Sequence, residues 1–163
     1  MTTTQIRVTD EIVVPQPPAE VWPVLVGVSD YPRWWPESLH LRVLSERPGA
    51  IGTELELRPR GGRAFRCSVE SLEEPRRIYM RYGGGFVEGS GEWRLEPLAD
   101  GKRVTYDLDV HARGLIVGLV ARAIRIDKLH SGPMRDVLEA LKDELTARQV
   151  ARKTAGVAHT PHR

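Results

Sequence analysis

Cysteine is almost absent from this chain, since Cys67 is the single one among 163 residues. One thiol cannot close an internal disulfide, so the fold must rest on burial, and a reducing compartment, the cytoplasm by default, is the expectation. No set of histidines or cysteines shows metal-ligand spacing, and neither a metal nor another cofactor is expected. Charge of one sign is also scarce: 24 basic against 22 acidic residues leave a formal +2. The nearest thing to a basic run, Arg58, Arg60, Arg63 and Arg66, is interrupted by Pro59 and by Gly61-Gly62 and reads as a solvated strand end. Binding to nucleic acid is not expected. Long hydrophobic runs are missing too. The most apolar stretch, 114–126, contains Arg122 and Arg125 and falls far short of the ~20 residues a spanning helix needs, so stable membrane insertion is not expected. The N-terminal residues lack the basic and apolar regions of a secretory signal, and the chain shows neither an internal repeat nor a low-complexity segment.

What is present is ordinary globular composition, 40% apolar and 28% charged, on a length that suits one core. A single domain over 1–150 with a loose tail over 151–163 is the expected organisation. Ile6, Val8, Ile12 and Val14 alternate with polar residues, the period-2 pattern of a half-buried strand. Pro18-Ala19-Glu20 opens a short helix with proline in its first turn. A second short helix runs through Tyr31, Trp34 and Trp35, with Ser29 or Asp30 available to cap it and Pro36 to close it. From 39 onward the chain reads as a meander: strands over 39–45, 53–58, 64–72, 77–82, 87–96 and 103–112, separated by Pro48-Gly49, Gly61-Gly62, Glu74-Pro75 and Asp100-Gly101.

The last third changes period. Leu115, Leu119, Ile124, Leu129, Met134, Leu138, Leu141 and Leu145 recur at helical spacing among charges. Pro133 removes a backbone donor, which predicts a kink or break between Ile126 and Met134, with 127–132 as hinge and Ser131 able to cap the second part of the helix. The apolar stripe fades after about Arg148. The architecture this predicts is α+β: a seven-stranded curved antiparallel sheet wrapped around a long C-terminal helix, with two short helices after the first strand. A curled sheet closed by one helix leaves room for a cavity. Strand parity aims Phe65, Cys67 and Val69, then Met80 and Tyr82, then Trp93, then Tyr106 and Leu108 into it, provided no bulge shifts the register. Trp34, Trp35, Met134 and Leu138 complete the candidate ligand-binding set. Two adjacent tryptophans on a short helix cannot both point inward, so one is expected to plug the cavity mouth while its neighbour is partly exposed. The polar tips of Tyr82, Trp93 and Tyr106 either orient a ligand or are satisfied within the core. Gly83-Gly84-Gly85, Gly89 and Gly91 lack a phosphate-loop context; inward glycines leave volume.

The order of elements, together with Val14-Pro15, Pro18-Ala19-Glu20-Val21-Trp22, the run Val28-Ser29-Asp30-Tyr31-Pro32-Arg33-Trp34-Trp35-Pro36, and Val69 through Ile78, resembles the START-like superfamily, the SRPBCC group of polyketide cyclases/dehydrases and lipid-transport proteins. The resemblance covers 6–148 and implies the helix-grip fold. That fold hosts aromatase/cyclases, lipid and quinone carriers, hormone receptors and co-chaperones. By the same resemblance, Ser71 occupies the place of one cavity arginine of the aromatase/cyclases and a second would fall near Gly84, while Trp93 stands where those enzymes carry a pocket tryptophan.

Three functions stand as expectations. The first is binding of a small hydrophobic molecule, a lipid, isoprenoid, quinone or polyketide-like compound, without bond changes. The second is a cyclase or dehydratase, for which Tyr82, Tyr106, His111 and His130 are the candidate acids and bases, although His111 and Arg81 have outward parity. The third is docking of the 115–126 segment on a partner or membrane surface.

Overall fold

The computed structural model describes residues 3–113 and 132–157. Strand β1 (Thr3–Val14) leads into α1 (Pro18–Val26), a 3-10 turn (Val28–Asp30) and α2 (Tyr31–Trp34). Strands β2 (Leu39–Ser45), β3 (Glu54–Pro59), β4 (Phe65–Glu73), β5 (Arg77–Gly83), β6 (Val87–Leu98) and β7 (Gly101–Arg113) come next, and α3 (Gly132–Val157) ends the described chain. The seven strands form one antiparallel sheet in the order β1-β7-β6-β5-β4-β3-β2. Each hairpin therefore pairs with its neighbour in sequence, and only β1 crosses to close beside β7. This is the helix-grip arrangement, and the element order agrees with the period analysis to within a few residues.

Alternation explains which face is buried. Along β1, Ile6, Asp10 and Val14 are buried while Arg7, Thr9, Glu11 and Val13 are exposed. The same rhythm puts Leu55 and Leu57, Cys67 and Val69, Met80 and Tyr82, Trp93 and Leu95 on the inner face. The outer face carries ion pairs; Arg94 lies 2.6 Å from Asp107 and 3.2 Å from Glu96. Such partly exposed pairs contribute modestly each. The turn residues behave as their chemistry requires at Gly49 and Gly61, both at positive φ.

Helix α3 buries Val137, Leu138, Leu141 and Leu145, the i, i+3, i+4 stripe that the inner face needs. Pro133 sits in the first turn of α3 as bounded, where a missing N–H costs nothing. Of the suggested hinge over 127–132, only Gly132 is described, as the first residue of α3; residues 127–131, with the Ser131 cap and His130, and the 115–126 segment lie outside the described residues. At its other end α3 runs on to Val157, past the point where the apolar stripe fades near Arg148, with 151–157 exposed. Alanine, arginine, lysine and glutamine favour the helix without any packing. Arg152 also reaches Glu20 of α1 at 3.5 Å. Among the described residues no helix is long and apolar enough to cross a membrane.

Candidate functional site

A cavity of about 460 Å³ lies between the inner face of the sheet and the start of α3. Every strand contributes: Ile6, Val8 and Asp10 from β1, Leu39 and Leu41 from β2, Leu55 and Leu57 from β3, Phe65 and Cys67 from β4, Met80 and Tyr82 from β5, Val87 and Trp93 from β6, and Tyr106, Leu108, Val110 and Ala112 from β7. The other walls come from Tyr31, Trp35, Ser38, Phe86, the β3–β4 turn and the first turn of α3 at Gly132, Pro133 and Met134. Ser38 ties these last parts together, because its hydroxyl donates to Asp136 at 2.8 Å and its carbonyl accepts from the Arg60 amide at 3.1 Å. The exposed lining residues Arg60, Gly61, Arg63 and Gly132 belong to the tied parts, so the cavity meets solvent there.

Of the twelve residues singled out from the sequence, Trp35, Phe65, Cys67, Met80, Tyr82, Trp93, Tyr106, Leu108 and Met134 line the cavity. Trp34, Val69 and Leu138 do not. Val69 is inward and buried, but it packs beside a bulge between Val69 and Ser71, with its amide and carbonyl bonded to Thr53 and Gly52. The same bulge is the register shift that strand parity could not foresee. Leu138 lies one turn beyond Met134, and because only the first turn of α3 reaches the cavity it fills the solid core instead. The two tryptophans divide differently from the expectation. Trp34, the more buried, packs edge-on to Tyr31 at 5.0 Å and takes no part in the cavity wall. Trp35 is both the half-buried one and the one on the wall, stacked on Tyr31 at 5.0 Å and 14°.

The polar groups of the wall are few. The Tyr82 and Tyr106 hydroxyls hydrogen-bond to each other, and register explains how: Tyr106 lies across from Trp93, and Gly91 lies next along β6 on the same face. A side chain at Gly91 would put its Cβ 2.9 Å from Tyr106 Cζ and 2.9 Å from Tyr82 Cε2. The glycine space that sequence reasoning assigned to the cavity is therefore filled by the tyrosine pair. Trp93 meets the Tyr106 ring edge-on at 4.8 Å. Burial pushes the pKa of both tyrosines well above the usual phenol range, and the nearby Cys67 adds to the rise. The Cys67 thiol is itself pushed up to about 12 by burial. All three stay protonated at neutral pH and can donate or accept hydrogen bonds but cannot act as bases. The Trp35 indole Nε1 has no partner among the described residues.

Sequence reasoning missed several wall residues. Asp10 had a signal in the strand pattern, since it shares the inward parity of Ile6, Val8 and Ile12, yet only apolar positions were counted. Arg60 and Arg63 are exposed, as a solvated strand end should be, but they also edge the mouth, where Arg63 lies 5.4 Å from the Phe86 ring centre. His111 and Arg81 point outward; Arg81 pairs with Glu70. Ser71 and Gly84 are exposed and absent from the wall, so no group takes the cavity-arginine role at either position.

Comparison with known proteins places this geometry. No curated protein matches the chain in sequence. Among solved structures, a norcoclaurine synthase point mutant from Thalictrum flavum, bound to a transition-state analogue, superposes with TM-score 0.66 at 14% identity, over 91% of this chain and 99% of that one. A START superfamily protein from Mycobacterium smegmatis gives 0.65 at 16%, covering 86% and 97%. The di-domain ARO/CYC StfQ of the steffimycin pathway gives 0.65 at 15%, over 89% of this chain and 52% of that one. At these identities the likeness is one of fold. The family pattern described as polyketide cyclase / dehydrase and lipid transport matches residues 5–146, and the chain belongs to that START-like family.

Proposed function

We propose that this protein binds and carries a small hydrophobic molecule, of the lipid, isoprenoid, quinone or polyketide kind, in the cavity between sheet and α3. The observation that carries the reading is the wall: about 460 Å³ of space faced almost wholly by aliphatic and aromatic side chains. That volume falls within the ~300–1,000 Å³ of pockets that enclose drug-sized ligands. Burying ~300 Å² of apolar ligand surface at ~25 cal/mol per Å² supplies roughly 7 kcal/mol before entropy costs, enough for micromolar binding without any special polar contact. A cytoplasmic setting suits the one buried, unpaired thiol.

One observation favours a second reading, a cyclase or dehydratase. The paired Tyr82 and Tyr106 hydroxyls share one bond, which leaves one hydroxyl proton able to polarise a substrate carbonyl. Native mass spectrometry of freshly purified protein, followed by organic extraction, tests both. A bound isoprenoid, lipid or polyketide recovered unchanged supports carriage. An extracted compound that the protein converts on re-addition supports catalysis. An empty protein that also fails to take up N-phenyl-1-naphthylamine saturably would refute the cavity reading.

A further inference from the structure

Most of the wall is apolar, and one carboxyl interrupts it. Asp10 lies at the centre of β1, with its side chain among Ile6, Val8 and the Tyr106 that pairs across from it on β7. It is 9% exposed, and its Oδ2 has no hydrogen-bond partner among the described residues. A buried acceptor without a partner is costly, and on a residue that lines a cavity it calls for a donor from whatever fills that cavity. By contrast Asp109, an exposed carboxylate on the outer face of the same sheet, accepts from Gln5 and Arg7 at 3.0 Å.

We propose that Asp10 is the polar recognition group of the cavity and selects a neutral, hydroxyl-bearing aromatic or polycyclic ligand, whose O–H donates to the Asp10 carboxylate. The proposal rests on the ligand-binding reading above and names the ligand class. Charge narrows the class. Arg135, near the start of α3, already acts on Asp10 and favours its ionised form, while Tyr106, facing it from β7, stays neutral. Arg135 already supplies positive charge to Asp10, and an anionic ligand would be repelled by the carboxylate, so a neutral donor fits best. Burial raises the pKa of Asp10 from 3.8 to about 6. The carboxylate acceptor is therefore present at neutral pH and is lost as pH falls through about 6.

The test compares two probes of equal shape, 2-naphthol and 2-methylnaphthalene, by calorimetry on the wild-type chain and on Asp10→Leu and Asp10→Asn. At pH 7.5 the wild type should favour 2-naphthol by about tenfold or more, the size of a buried hydrogen bond to an ionised group. The preference should fall as pH drops from 7.5 to 5, shrink in Asp10→Asn without pH dependence, and vanish in Asp10→Leu, which should still bind 2-methylnaphthalene. Equal preference in wild type and Asp10→Leu would overturn the role of Asp10 and leave the cavity standing. Tighter binding of 2-naphthylmethylammonium than of 2-naphthol would overturn the choice of a neutral ligand. If neither naphthalene binds the wild type, the cavity reading fails, and the proposal with it.

Discussion

Replacing Asp10 with asparagine should stabilise the empty protein at neutral pH, by an amount that depends on pH in a definite direction. The folded carboxyl is held near 6 by burial, against an ordinary 3.8. Below 3.8 the group is protonated in both folded and unfolded chains, and its ionisation costs folding nothing. Between 3.8 and about 6 the unfolded chain ionises first, so stability falls as pH rises; above about 6 both forms are ionised and the full cost is present. The rise from 3.8 to about 6 converts to ~3 kcal/mol at ~1.36 kcal/mol per pKa unit. Asparagine carries no such term. Urea unfolding of wild type and Asp10→Asn, followed by tryptophan fluorescence between pH 4 and 7.5, should show the mutant gaining ~2.5 kcal/mol on the wild type across that range, the remainder having developed below pH 4. With a slope of ~2 kcal/mol per M, this displaces the midpoint by ~1.2 M. A difference that stays flat with pH would mean that Asp10 is solvated or paired in the empty protein and has no unmet need for a ligand donor. A carboxyl kept at that cost in the empty protein is the pattern expected of a group whose partner is the ligand.

Gly91→Ala should cost about 1–3 kcal/mol, because the new Cβ collides with two tyrosine rings 2.9 Å away, and overpacking of a buried contact has that range; chemical denaturation measures it, and an unchanged midpoint would show that the tyrosine pair yields freely. Cys67, buried and pushed up to about 12, should resist 5,5′-dithiobis(2-nitrobenzoate) in the native state and react only at the rate of unfolding. Rapid stoichiometric labelling of folded protein would contradict its burial.

The strand pattern made much of this fold legible. Leu55 and Leu57, Cys67 and Val69, Met80 and Tyr82 declare their face through period-2 alternation alone, because a pleated strand sends successive side chains to opposite sides whatever lies around it. The Gly and Pro turns set the strand order, and the Leu138, Leu141, Leu145 stripe identifies the helix that must cover the sheet. Facing inward, however, is not the same as facing a cavity. Val69 and Leu138 are inward and fill solid core; Trp34 is buried against Tyr31 and leaves the wall to Trp35.

What the sequence by itself determined is therefore the inner face: which residues leave water, in what order, and on which element, since these arise from local periodicity and turn chemistry. Only the tertiary structure decided where that face stays unfilled. The β4 bulge, the fit of the tyrosine pair over Gly91, and the short reach of α3 across the sheet together divide core from cavity. Asp10 shows the difference most plainly. Its parity could be read from the chain, but its meaning depends on Tyr106 across the sheet, Arg135 on a distant helix, and an Oδ2 that no described residue partners, relations between residues far apart in sequence that no local pattern encodes.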